Sequence, residues 1–134
     1  MIWVIDTSAV IRLFVPDGPI HAEAESAFNR AATGAELILA PHLLLVEAAN
    51  VLLRKQRRGE LAPAELRELL LAINALPIRY CDHGALLVTA CDLAQAHGLS
   101  AYGALYLALA EQHGARLMTC DEALDKVAQK IGLA

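Results

Sequence analysis

The chain has 134 residues, 57% of them hydrophobic and 19% charged, a length that suits one domain over residues 1–134 with a real core. Its longest apolar runs, such as Leu43 to Val46 and Ala104 to Ala110, fall far short of the roughly 18 residues that span a bilayer, so no membrane helix is expected. Eleven basic against fifteen acidic residues, a net charge of −4, argue against broad non-specific binding to nucleic acid and leave the question to local clusters.

M-I-W-V-I reads as a short buried strand ending at Asp6, followed by the helix-start signal D-T-S and the apolar run Ala9 to Phe14. The same opening lacks a basic n-region and puts Asp6 where a secretory leader is apolar, which points to the cytoplasm. P-D-G at 16 to 18 is a turn. A helix over Ile20 to Ala32 follows, then a second buried strand, L-I-L-A at 37 to 40, stopped by Pro41. His42 to Arg58 is helical and ended by Gly59. Pro63 opens a helix that runs to about Ala75, and P-I-R-Y-C from Pro77 is extended. Gly84 to His97 and Ser100 to His113 are two more helices. R-L-M-T-C at 116 to 120 is a strand running into Asp121, and Glu122 to Ile131 closes the chain as a helix. Strands alternating with helices predict an α/β fold, three layers deep, with a central parallel sheet covered by helices on both faces. Cys81, Cys91 and Cys120 are odd in number and contain no C-x-x-C pair, so they read as free thiols.

In an open parallel sheet, ligands bind beyond the carboxyl ends of the strands. Asp6 and Asp121 each follow a buried strand directly and each start a helix. Either alone is satisfied as an N-cap aspartate; two at matching strand ends point towards a site without establishing one. Glu47 interrupts the apolar face L-L-L-V-E-A-A-N-V-L-L, where an unpaired buried carboxylate is costly, so it is paired with a cation or faces a polar cleft. Arg54 and Arg58 lie seven and eleven residues further on, within about 20° of the Glu47 direction at roughly 100° per residue. They read either as a solvated face or as phosphate contacts beside an acidic site. Lys55 and Arg57 project to the sides, towards water.

Carboxylates clustered at a sheet edge, without a zinc-type His or Cys set, suit a hard divalent cation such as magnesium or manganese, which prefers oxygen ligands and substrate phosphates. The chemistry implied is hydrolysis of a phosphodiester. No G-x-G-x-x-G, P-loop, H-E-x-x-H or G-x-S-x-G motif is present. Tyr102 and Tyr106, one turn apart, brace their helix, with Tyr102 close enough to the acids to leave base stacking open. Gly103 is the odd residue. Ser100 is a good N-cap, which puts Gly103 at N3, where an acid would serve the helix dipole and glycine costs about 1 kcal/mol relative to alanine.

V-I-D-T-S-A at 4 to 9, E-A-A-N-V-L-L-R at 47 to 54, G-L-S-A-Y-G-A-L-Y-L-A-L-A at 98 to 110 and L-M-T-C-D at 117 to 121 resemble, in order and spacing, a PIN domain, most closely the small toxins of the VapC type. The resemblance implies a parallel sheet flanked by helices and a group of acids that binds magnesium or manganese and cleaves RNA. It makes Asp6 the first acid, Glu47 the second and Asp121 the fourth, with Thr7, Ser8 and Thr119 as supporting hydroxyls and Asn50 as a neighbouring polar group. The family's third acid falls on Gly103, so activity is expected to be impaired. Asp125, one turn beyond Asp121, is the neighbour placed to approach the cleft. The resemblance also implies a homodimer and a cognate small antitoxin. A PIN module that binds RNA or antitoxin without cutting is the alternative. A receiver-like domain phosphorylated on Asp6 lacks its D-x-D-x-T signature.

Overall fold

The computed structural model describes residues 1–134. Four strands, β1 (Ile2–Ile5), β2 (Leu37–Pro41), β3 (Arg79–Cys81) and β4 (Arg116–Met118), form one sheet in the order β3-β2-β1-β4. Every pairing is parallel, with Val4 opposite Leu39 on one side and Leu117 on the other. Seven α-helices accompany them: α1 (Thr7–Phe14), α2 (Ala24–Ala32), α3 (Leu43–Arg57), α4 (Pro63–Asn74), α5 (Leu87–His97), α6 (Ala101–His113) and α7 (Glu122–Lys130).

Successive side chains of a strand point to opposite faces, yet Trp3, Val4 and Ile5 are all buried, as are Ile38, Leu39 and Ala40. Both faces of the sheet are therefore covered, which is why these strands read as unbroken apolar runs rather than alternating ones. The deepest helix is α6, whose residues Ala104 to Ala110 are all buried. A helix apolar on every side belongs inside a fold, and α6 packs on β1, β2 and β4. Gly98 and Gly114, at φ +67 and +59, close α5 and α6 in left-handed C-caps that only glycine adopts without strain.

β2 and β3 extend to one side of β1 and β4 to the other. The strand order reverses at the β1–β4 boundary, so that boundary is the crevice where an open α/β sheet binds ligands. Asp6 and Asp121 leave the two strands that border it.

Four element boundaries differ from the sequence reading. The helix expected from Ile20 begins at Ala24, because the Glu23 N–H is taken by the His21 side chain, at 3.2 Å, in a turn before it. β2 runs through Pro41. As the strand's last residue it needs no donor, since the next N–H, of His42, makes the bond to the Cys81 carbonyl at 3.1 Å. Gly84–Leu86 is a 3-10 turn before α5 rather than its first turn. β4 stops at Met118, where the chain bends to bring Thr119 beneath Asp6.

Candidate active site

Asp6 is only 5% exposed and accepts three hydrogen bonds: from Thr119 Oγ1 at 2.5 Å, Ser8 Oγ at 2.7 Å and the Ala9 N–H at 3.0 Å. It is thus the N-cap of α1, but it does more than cap a helix. Burial pushes its pKa up to about 6, against the three donors, and the Asp121 charge adds to the rise. No lysine or arginine neutralises it.

Asp121 caps α7 by accepting the Leu124 N–H at 3.1 Å through one carboxylate oxygen. Two hydroxyls tie the first and fourth strand ends together. Thr119 Oγ1 accepts the Asp121 N–H at 3.0 Å while donating to Asp6, and Ser8 Oγ accepts the Cys120 N–H at 2.9 Å while also donating to Asp6. Thr119 and Ser8 therefore link the Asp6 carboxylate to the backbone at Cys120 and Asp121.

Glu47 arrives from α3 and is held through one oxygen. Its Oε1 accepts from the Tyr106 hydroxyl at 2.5 Å and from Thr7 Oγ1 at 2.9 Å, which leaves Oε2 free. Tyr106 is 2% exposed. Its pKa lies well above the ordinary tyrosine value, first through burial and then through the bond to Glu47, so it stays a proton donor. The sequence reading gave Tyr106 only a bracing role. Its position three residues after Gly103, on a helix face next to the acids, was the available signal.

Gly103 lines the same cleft, its N–H donating to the Ser100 hydroxyl at 3.2 Å as the cap reading requires. Its backbone is ordinary helix, with no positive φ. A Cβ built there would meet Leu124 Cδ1 at 3.7 Å and Ser100 Oγ at 3.8 Å, both comfortable contacts. Neither backbone conformation nor packing requires glycine at 103.

Asp6, Glu47, Asp121 and Gly103 share one cleft of about 790 Å³, which Asn50 and Arg54 also line. Arg58 does not. Regular helix ends at Arg57, so the helical projection fails one residue too early, and the Arg58 side chain pairs instead with Glu60 at 2.7 Å in solvent. Lys55 is likewise corrected: it is 4% exposed, and its ammonium lies 2.7 and 2.6 Å from the two oxygens of Asp17. Asp17 is thereby an acid of the cleft that the sequence reading missed, but Lys55 occupies both its oxygens. Asp125 turns away from the cleft and accepts from the Gln129 amide at 2.8 Å. Arg12, also missed, lines the cleft with one guanidinium nitrogen donating to the Pro19 carbonyl at 3.1 Å.

These donors suit a hard divalent cation. They are carboxylate oxygens, the buried Asp6 has no cationic partner, and Glu47 Oε2 is uncommitted. No three acidic, histidine or cysteine side chains converge into a complete cage.

Fold and cleft together define an α/β protein with an acid-lined crevice at a topological switch point of a parallel sheet. Residues 3–130 match the PIN domain, and the chain belongs to that family. It is 35% identical over 125 residues to the protein named Ribonuclease VapC3 from Pyrobaculum aerophilum, with 90% of each chain covered. The crystal structure of PAE2754, also from Pyrobaculum aerophilum, is similar with a TM-score of 0.71 and 25% identity, over 93% of this chain and 83% of that one.

Proposed function

We propose that this chain is the toxin of a type II toxin–antitoxin pair, a magnesium- or manganese-dependent endoribonuclease whose activity is impaired by Gly103. The observation that carries the reading is that Asp6, Glu47 and Asp121 all line one cleft of a PIN fold. The similarity to a protein named as a VapC ribonuclease supports RNA as the substrate.

Asp6, Glu47 and Asp121 would hold the cation. When bound, it supplies Lewis acidity to a phosphodiester and a means of activating water. The chain's own residues do the rest. Thr119 and Ser8 orient Asp6, and Tyr106 and Thr7 turn Glu47 so that its free oxygen faces the cleft. Arg54 contributes positive charge for a substrate phosphate; Arg58, outside the cleft, is left without that role. Asn50 offers an amide one helical turn beyond Glu47. The cognate partners are a small antitoxin that covers the cleft and a second copy of the chain. The reading places its action in the cytoplasm; separately, no helix of the chain is long and apolar enough to cross a membrane.

The test compares the chain with its Gly103→Asp variant on structured RNA in manganese. A misplaced reacting group costs on the order of a hundredfold, and the variant is expected to be faster by about that factor. Equal rates refute the assignment of position 103. The lack of a carboxylate at Gly103 also favours a second reading, a PIN module that binds without cutting. Failure of Gly103→Asp to bind manganese in a calorimetric titration selects it.

A further inference from the structure

Tyr102 and Tyr106 stand one turn apart on α6 in opposite surroundings. Tyr106 is buried and spent on Glu47, whereas Tyr102 is 61% exposed and lines the cleft beside Gly103. On the facing helix α3, Val46 directly precedes Glu47, is 70% exposed and lines the cleft as well. Single exposed apolar residues are ordinary on any protein surface. Two of them immediately before two acid positions, in one crevice, are not scattered.

A phosphodiester seated over Asp6, Glu47 and Asp121 carries a nucleoside on each side. Its charge is met by Arg12 and Arg54, the two arginines that line the cleft, whereas its bases need flat apolar surface. Sequence-tolerant binding of single strands combines cationic side chains along the backbone with aromatic rings under the bases. The cleft presents that combination, with Tyr102 as its exposed ring.

We propose that Tyr102 is a base platform, its ring stacking on the nucleobase next to the scissile phosphate while Val46 supplies apolar contact from α3. The proposal rests on the ribonuclease reading and adds a subsite for an unpaired base. It implies cleavage within single-stranded segments or loops, where bases are free to stack on side chains.

The test measures anisotropy of a labelled single-stranded oligoribonucleotide in calcium, intact and with an abasic nucleotide moved along it one position at a time. The chain should lose roughly five- to hundredfold in affinity at one abasic position, the range that stacking of one base on an aromatic ring spans. Tyr102→Ala should weaken binding of the intact strand by a similar factor and no longer discriminate the abasic one. Tyr102→Phe should behave as the parent. Unchanged affinity in Tyr102→Ala, or retained discrimination, overturns the platform and leaves the ribonuclease reading intact. Weakened self-association in sedimentation with unchanged RNA affinity reassigns the ring to a protein contact and equally overturns it. No binding of the intact strand by the parent chain removes the RNA reading, and the platform with it.

Discussion

Asp6 should destabilise the metal-free fold it helps to build. Its pKa is about 6 in place of the ordinary 3.8, and at about 1.36 kcal/mol per tenfold change in acidity the ionised carboxylate costs about 3 kcal/mol at neutral pH. The folded chain holds the proton more tightly than the unfolded one. The stability this group contributes is therefore whole below the unfolded value of 3.8 and is lost as pH rises through about 6. Asp6→Asn removes the ionisation and keeps the shape. An amide cannot accept all three hydrogen bonds from Ser8, Ala9 and Thr119, a loss of about 1 kcal/mol. In chelator at about pH 7 the variant should then be more stable by about 2 kcal/mol, and that advantage should vanish at about pH 4. Urea unfolding followed through buried Trp3, the one tryptophan of the chain, measures both values. Manganese should reverse the ranking, since an ion bound to the folded parent alone adds to its stability. A difference that does not change with pH would refute the argument that Asp6 is buried as a strained, unpaired acid.

Three further outcomes follow from the same site. Tyr106→Phe should weaken manganese binding by about 10-fold or more, as loss of a group that orients a ligand does, with titration calorimetry as the measurement. Asp17→Asn should destabilise by about 3 kcal/mol because it strands the buried Lys55 charge, whereas Lys55→Met should cost less because Asp17 is partly exposed and hydrated; denaturant midpoints rank the pair. Arg54→Ala should reduce the salt dependence of RNA binding by about one counterion, and Arg58→Ala should not, a contrast read from affinities across a salt series.

The element order was legible because β1 and β2 are short apolar runs ended by an acid or a proline, α3, α5 and α6 carry the glycine stops Gly59, Gly98 and Gly114, and Pro77 follows the end of α4. Asp6 and Asp121 were legible for the same reason: position after a buried strand is a local property. What the sequence hid was long-range. The hydroxyl of Tyr106 finds Glu47 across 59 residues, and Lys55 finds Asp17 across 38. A lysine in the run R-K-Q-R-R carries no local mark of burial. Arg58 failed for a geometric reason, because the 100° periodicity was carried one residue beyond the last helical one.

The uncrowded backbone at position 103 bears on heredity as well as on chemistry. Glycine and aspartate have codons that differ by one base, and no neighbour has closed over the missing side chain. Placing an acid at 103 therefore requires no second mutation to make room for its Cβ. Asp6 is different: its oxygens are wired to three partners, and a lineage that lost it would have to re-establish that whole arrangement. On the reading proposed above, the loss of activity at 103 is one that a single substitution can undo.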